Sequence, residues 1–231
     1  MTTARDTIVV IPAYNEEKSI GRLIELTRPW ADVCVVNDAS RDRTEEIVKS
    51  YPSAVCITHQ KNTHIPQAVL DGMRYAAGKP YRYVITMDAG LSHDPGELGR
   101  FIQAPEADVV LGRREIRHDV PVCRRLFSLA AGLLFNLAFS SWRWGVPPSH
   151  FRDVTSGFRR YSRRAVELLL SRTFKAKSFD FHVEALMFAY RNRLRIVEVP
   201  ISYRFTTTSL KTKVVIDELK MLGDMLLRQR K

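Results

Sequence analysis

The amino-acid sequence predicts an α/β fold in which a mostly parallel sheet carries helices on both faces. Three observations predict it. Short apolar runs of strand length alternate with helix-length segments over the first half of the chain. The 231 residues and 45% apolar content suit a single domain with a real core. Finally, three of the apolar runs end in a polar segment that carries a carboxylate: "PAYNEE" at 12–17, "NDAS" at 37–40 and "DAGLSH" at 88–93. Ligands of parallel α/β sheets bind beyond the carboxyl ends of the strands, which is where these segments fall. Polar loops that cap helices explain each segment singly but not their shared location.

The elements follow in order. Residues 7–12 ("TIVVIP") read as a buried strand and residues 17–27 as a helix. A strand over 32–37 ("DVCVVN") precedes a helix over 40–51, with Ser40 as its N-cap. Residues 54–58 ("AVCIT") give the next strand, and 65–78 a helix with Pro66 near its start and Gly78 as its stop. Strands at 83–87 ("YVITM") and 108–112 ("DVVLG") complete the regular alternation. Further on come a turn or short strand and a helix within 152–170, a helix over 179–193 and a strand over 195–205. Residues 214–231 are amphipathic, with Val215, Leu219, Leu222 and Leu226 on one stripe. The expected organisation is one domain over 1–211 and a C-terminal amphipathic helix over 212–231.

The net charge of +11 points to an anionic partner: nucleic acid, acidic lipid headgroups or a phosphorylated substrate. Nucleic acid is disfavoured, because no recognition motif is present and the arginines crowd after residue 112 without forming one run. Residues 126–142 ("LFSLAAGLLFNLAFSSW") carry no charge, follow Arg124 and Arg125, and lead into "WRW" at 142–144. The stretch is shorter than the ~20 residues that span a bilayer. It suits a helix lying in a headgroup layer, and equally a buried core helix. The three cysteines, Cys34, Cys56 and Cys123, lie far apart with no metal-binding spacing, so buried free thiols in a reducing compartment are expected. No signal peptide is expected, since "MTTARDT" runs straight into the first strand.

In order and spacing, "VVIPAYNEE", "VVNDASRDRT", "MDAGLSHDP", "VVLGRRE", "DVTSGFRRYS" and "EVPISYRF" resemble the inverting glycosyltransferases of family 2, most closely the polyprenol (dolichol) phosphate mannosyltransferase branch. The resemblance runs from Val9 to about Lys211. It implies a GT-A type, Rossmann-like fold, a nucleotide-sugar donor (GDP-mannose or UDP-glucose) and a divalent cation, Mg²⁺ or Mn²⁺. It also implies donor-binding positions at Pro12, Tyr14, Glu16, Asp38, Asp88, Ala89 and Gly90. The family places an Asp-x-Asp and a further polar ligand at the metal. Here Asp88 fills the first position, Gly90 departs from the second, and Ser92 occupies the later one. A departing diphosphate gathers negative charge, and a cation that keeps several waters can share its ligation between one carboxylate and the phosphates.

On the acceptor side, the resemblance places a phosphate near Arg114, Arg124, Ser128, Arg204 and Lys211. A lipid phosphate already carries an anionic oxygen nucleophile, so it needs cationic positioning more than a base. Arginine's planar fork suits that task. Asp153 has two readings: a general base if the acceptor is a hydroxyl, or an ordering residue if it is a lipid phosphate. With Asp88 and Arg114 it completes the expected catalytic set. His93, His150 and His182 lack metal-ligand spacing and read as loop or core histidines, His93 alone lying near the chemistry.

The expectation is a hexosyltransferase, with mannose the favoured sugar, that acts on polyprenyl or dolichyl phosphate with inversion. It would sit peripherally or monotopically on the cytoplasmic face of a membrane, without a transmembrane span and with room for an integral membrane partner. Two alternatives stay open: a glycosyltransferase acting on a glycan or protein hydroxyl from a UDP-sugar, and a non-catalytic scaffold or regulatory protein of the same fold.

Overall fold

The structure is a computed structural model that describes residues 5–118, 133, 136, 151–178 and 180–204. Among the described residues, seven strands form one sheet in the order β3-β2-β1-β4-β6-β5-β7. They are β1 (Thr7–Ala13), β2 (Asp32–Asn37), β3 (Ala54–Thr58), β4 (Tyr83–Thr86), β5 (Val109–His118), β6 (Arg159–Ser162) and β7 (Ile196–Arg204). All run parallel except β6, which pairs antiparallel with β4 and β5.

The strand alternation divides the core in two. Ile8 and Val10 of β1, with Cys34 and Val36 of β2, face one side. There they meet α3 (His64–Ala77), α5 (Arg163–Leu170) and α6 (Asp180–Arg191). Val9 and Ile11, with Val33 and Val35, face the other side, against α1 (Ile20–Thr27), α2 (Thr44–Lys49) and α4 (Leu98–Gln103). A two-residue side-chain period buried on both faces produces the continuous apolar runs of the sequence. α3 approaches the sheet closely at Gly72, where a β-carbon would stand 2.3 Å from Val10 Cγ1.

Several expected boundaries shift. Ser40 does not cap α2. The helix starts at Thr44, whose backbone N–H and hydroxyl both donate to Asp42 Oδ1, while Ser40 Oγ accepts from the Asn15 N–H. The helix expected from residue 17 begins at Ile20, because Glu16–Ser19 form a turn closed by the Ser19 and Ile20 N–H groups on the Glu16 carbonyl. β5 continues to His118, since β7 pairs with it along its whole length.

β6 begins with two arginines buried to within 1% of full burial. Arg159 donates to the carbonyls of Ser156, His182 and Val154. Arg160 donates to those of Phe101, Ile102, Ala104 and Pro105, capping the end of α4, and stacks on Tyr83. Carbonyl oxygens thus replace most of the water the two guanidinium groups give up. Cys34 and Cys56 are free thiols, while Cys123 and the expected C-terminal helix lie outside the described residues.

Candidate active site

The parallel register puts the ends of β1, β2, β3 and β4 on one edge. β6 starts there too, since Thr86 pairs with Arg159. Segment 153–158 and the far ends of β5 and β7 therefore share that edge with the three polar segments. Each polar segment contains one non-glycine residue with left-handed backbone: Asn15 (φ 56°), Ala39 (φ 60°) and Leu91 (φ 55°). Such residues are uncommon, and one costs on the order of 1 kcal/mol.

The first two loops are tied together. Asn15 Oδ1 accepts from the Arg41 N–H, the Glu16 N–H donates to Thr44 Oγ1, and the Glu17 N–H donates to Asp42 Oδ2. Tyr14 projects from this pair, 43% exposed, and Pro12 is half-buried at the end of β1. Asp38 lies deeper. Its Oδ1 accepts from the Thr63 N–H (2.7 Å) and Thr63 hydroxyl (2.8 Å) and meets His59 Nδ1 at 2.8 Å. Its Oδ2 accepts from the His64 N–H at 2.8 Å. Burial opposes the Asp38 charge, but these four contacts outweigh it and hold the carboxyl below its ordinary value. His59 Nε2 in turn stands 3.1 Å from Asp71 Oδ2, off the line of a good hydrogen bond. Nothing in the sequence marked His59 and Thr63 as the groups that hold Asp38.

Asp88 lies just past β4, with its side chain about one-third exposed (34%). Ala89 beyond it is buried and Gly90 half-buried. Burial chiefly, and the negative charges of Asp88 and Asp42, raise the Glu16 carboxyl, while the Ser19 hydroxyl opposes them. The two carboxylates therefore share one electrostatic field. A β-carbon at Gly157 would stand 3.0 Å from Asp88 Oδ1 and 2.9 Å from His182 Nε2, so a glycine there lets the 153–158 segment close against Asp88. Burial holds both His93 and His182 below the ordinary imidazole value.

Among the described residues, no three Asp, Glu, His or Cys side chains gather as a metal site. Ser92 is buried, and its carbonyl accepts the Arg204 N–H. One open carboxylate fits a hard cation that takes its remaining ligands from water and a diphosphate, not a metal caged by protein alone.

Asp153 is fully buried and grips Arg114 through both oxygens, at 2.7 Å to Nε and 2.7 Å to Nη2. The backbone N–H of Arg114 donates to the same carboxylate (3.1 Å), and its guanidinium lies over Tyr203. Burial disfavours the Arg114 charge, but Asp153 more than compensates, so the guanidinium is held even more firmly protonated than usual. Glu198 Oε1 accepts the N–H groups of Arg152 and Asp153 and so shapes the loop from below. Arg204 is exposed at the end of β7. Arg124, Ser128, His150 and Lys211 lie outside the described residues.

A mostly parallel sheet with this edge is the architecture of a GT-A glycosyltransferase. The chain belongs to the glycosyl transferase family 2, whose model matches residues 8–170, and it is a glycosyltransferase that uses a nucleotide sugar. It is similar to the polyprenol monophosphomannose synthase of Mycolicibacterium smegmatis, 28% identical over 85% of this chain and 77% of that protein. It is likewise similar to the undecaprenyl-phosphate mannosyltransferase of Micrococcus luteus, 29% identical over 85% and 82%. The UDP-N-acetylglucosamine–dolichyl-phosphate N-acetylglucosaminyltransferase of Methanococcus voltae is 27% identical over 87% of each. Among solved structures, glucosyl-3-phosphoglycerate synthase from Mycobacterium tuberculosis in complex with UDP shares the fold, with TM-score 0.69, 19% identity and coverage of 96% of this chain and 80% of that one. The same enzyme has been solved with Mn²⁺ and UDP-glucose (TM-score 0.67, 21% identity, coverage 97% and 79%). No described helix is long and apolar enough to cross a membrane.

Proposed function

We propose that the protein transfers a hexose, mannose in first place, from a nucleotide-diphosphate sugar to a polyprenyl phosphate at a membrane surface, with inversion. The observation that carries this reading is the Asp153–Arg114 pair. Asp153 is fully buried and gives both oxygens to one guanidinium, so it is poorly placed to accept a proton from an acceptor hydroxyl. An acceptor that arrives as an anion needs no such base. The names of the relatives support the same choice, since three carry a polyprenyl-type phosphate.

In this reading Pro12, Tyr14, Glu16 and the first two loops hold the nucleoside, with Asp38 tying the second loop to residues 59–64. Asp88, alongside Ala89, Gly90 and Ser92, would hold Mg²⁺ or Mn²⁺ jointly with the diphosphate. The cation, when bound, supplies neutralisation of the leaving group's charge. Arg114, fixed by Asp153 and Tyr203, steers the acceptor phosphate, with Arg204 at the same edge; Arg124, Ser128 and Lys211 are assigned to that phosphate from sequence. An acceptor phosphate oxygen attacks the anomeric carbon and the nucleoside diphosphate departs.

The test incubates the protein with GDP-mannose or UDP-glucose, Mn²⁺ and vesicles containing undecaprenyl phosphate, and measures sugar recovered in the lipid phase. Transfer from either donor supports the reading, and the better donor names the sugar. Transfer to soluble glycans or peptides but not to lipid overturns it in favour of the hydroxyl alternative. No stabilisation by any nucleotide sugar, with or without Mn²⁺, overturns nucleotide-sugar use altogether.

A further inference from the structure

His93 lies five residues beyond Asp88, and the left-handed Leu91 between them turns the chain back under the carboxylate. The imidazole is almost wholly buried, at 1% exposure. Its ring is held by Phe158 (centroids 5.2 Å apart) from the start of β6 and by Tyr203 (5.5 Å) of β7. A backbone bridge to Tyr203 fixes its main chain. Yet Nδ1 has no hydrogen-bond partner. Asp88 Oδ2 stands 3.6 Å away, just beyond hydrogen-bond range.

An orphaned buried nitrogen costs about 1–3 kcal/mol. Packing does not explain it, because a phenyl or leucyl side chain would fill a slot between two aromatic rings without that cost. A movement of Asp88 by about half an ångström would close the gap. The ring is clamped on two sides, whereas Asp88 is one-third exposed, so the carboxylate is the partner free to move. Gly157 bounds the opposite oxygen, Oδ1.

We propose that His93 is a positioning residue for Asp88: its Nδ1–H donates to Asp88 Oδ2 when the site takes up a divalent cation and a diphosphate, and this fixes the rotation of the carboxylate. A donor behind a ligating carboxylate supplies the orientation that a second acidic ligand would otherwise provide, and the position two residues after Asp88 is Gly90. The inference rests on the reading of Asp88 as the cation's carboxylate.

The experiment measures Mn²⁺ binding directly, by the electron paramagnetic resonance signal of free Mn²⁺, with UDP and separately with GDP. It compares the unmodified protein with H93F, H93L, H93N and D88N. H93F and H93L keep an apolar filling and remove the nitrogen; H93N keeps a donor near the place of Nδ1. The expected result is Mn²⁺ uptake with at least one diphosphate, lost in D88N. H93F and H93L weaken it ~10–100-fold, and H93N restores most of the loss. Without ligands, H93F or H93L melts no lower than the unmodified protein, because the orphaned nitrogen is gone. Two results overturn the role of His93 alone: unchanged binding in folded H93F and H93L, or a loss in H93N as large as theirs. Absence of Mn²⁺ uptake by the unmodified protein with either diphosphate, or uptake by D88N equal to it, overturns the reading of Asp88 and the role of His93 together.

Discussion

Asp38 and Asp153 are both buried carboxylates at the same edge of the sheet, and they are held in opposite ways. Asp38 is satisfied by backbone N–H groups, a hydroxyl and an imidazole contact. Asp153 is satisfied chiefly by a guanidinium in a two-point grip. The first arrangement fixes loop geometry at the side assigned to the nucleoside. The second fixes a permanent cation at the side assigned to the acceptor. One edge thus separates a shape-defining half from a charge-defining half.

Removing Asp153 breaks that contrast most severely. Asp153→Ala removes the carboxylate paired with the buried Arg114 guanidinium, and the expected loss is about 3–5 kcal/mol of unfolding free energy in urea titrations. A loss below about 1 kcal/mol would mean that the guanidinium finds water as easily as its partner. Asp38→Ala strips acceptors from Thr63 and His64, and about 2 kcal/mol is expected to be lost. The pH dependence sharpens this test. Because the folded carboxyl of Asp38 lies below its ordinary value of 3.8, its contribution is present above that pH and lost as pH falls through the lowered value. The mutant's acid-denaturation profile should lack that step.

Gly90→Asp probes the boundary between the two halves. If the site is an ordinary one short of a ligand, Mn²⁺ binding with diphosphate tightens by about tenfold, ~1.4 kcal/mol. If the added carboxylate instead blocks the donor, nucleotide-sugar affinity falls while Mn²⁺ affinity does not rise, and the glycine is there to make room. The smallest effect belongs to Glu198. Burial raises its carboxyl above the ordinary 4.5, with the N–H groups of Arg152 and Asp153 opposing. Its contribution is therefore complete below the unfolded pKa and lost as pH rises through the folded one. Glu198→Gln keeps an oxygen for both N–H groups. It should change stability by under about 1 kcal/mol at neutral pH and flatten the stability–pH curve just above pH 4.5.

Much of the fold was legible because its strands are buried on both faces. Val33–Val36 and Val84–Ile85 read as strands with no help from partners. The caps were less legible. Ser40 has the right chemistry for an N-cap, but its hydroxyl accepts from Asn15, a residue 25 positions earlier, and no local pattern reports that competition. The members of the candidate site were legible as residue types at strand ends, whereas their roles were not. Asp38 reads as a donor-binding carboxylate, and its contacts with Thr63 and His64 are visible only in the structure. Asp153 reads equally as a base or as an ordering residue, and its grip on Arg114 is visible only in the structure.

The sequence by itself determined the order of elements, the edge where chemistry gathers and the missing second carboxylate at Gly90. Periodicity and residue type are local properties, and local properties are written along the chain. Only the tertiary structure decided which donor meets which acceptor. The pairs Asp38–Thr63, Arg114–Asp153 and His93–Tyr203 span 25, 39 and 110 positions. They are joined by strand register, which forms only when the two halves of the core close on one sheet.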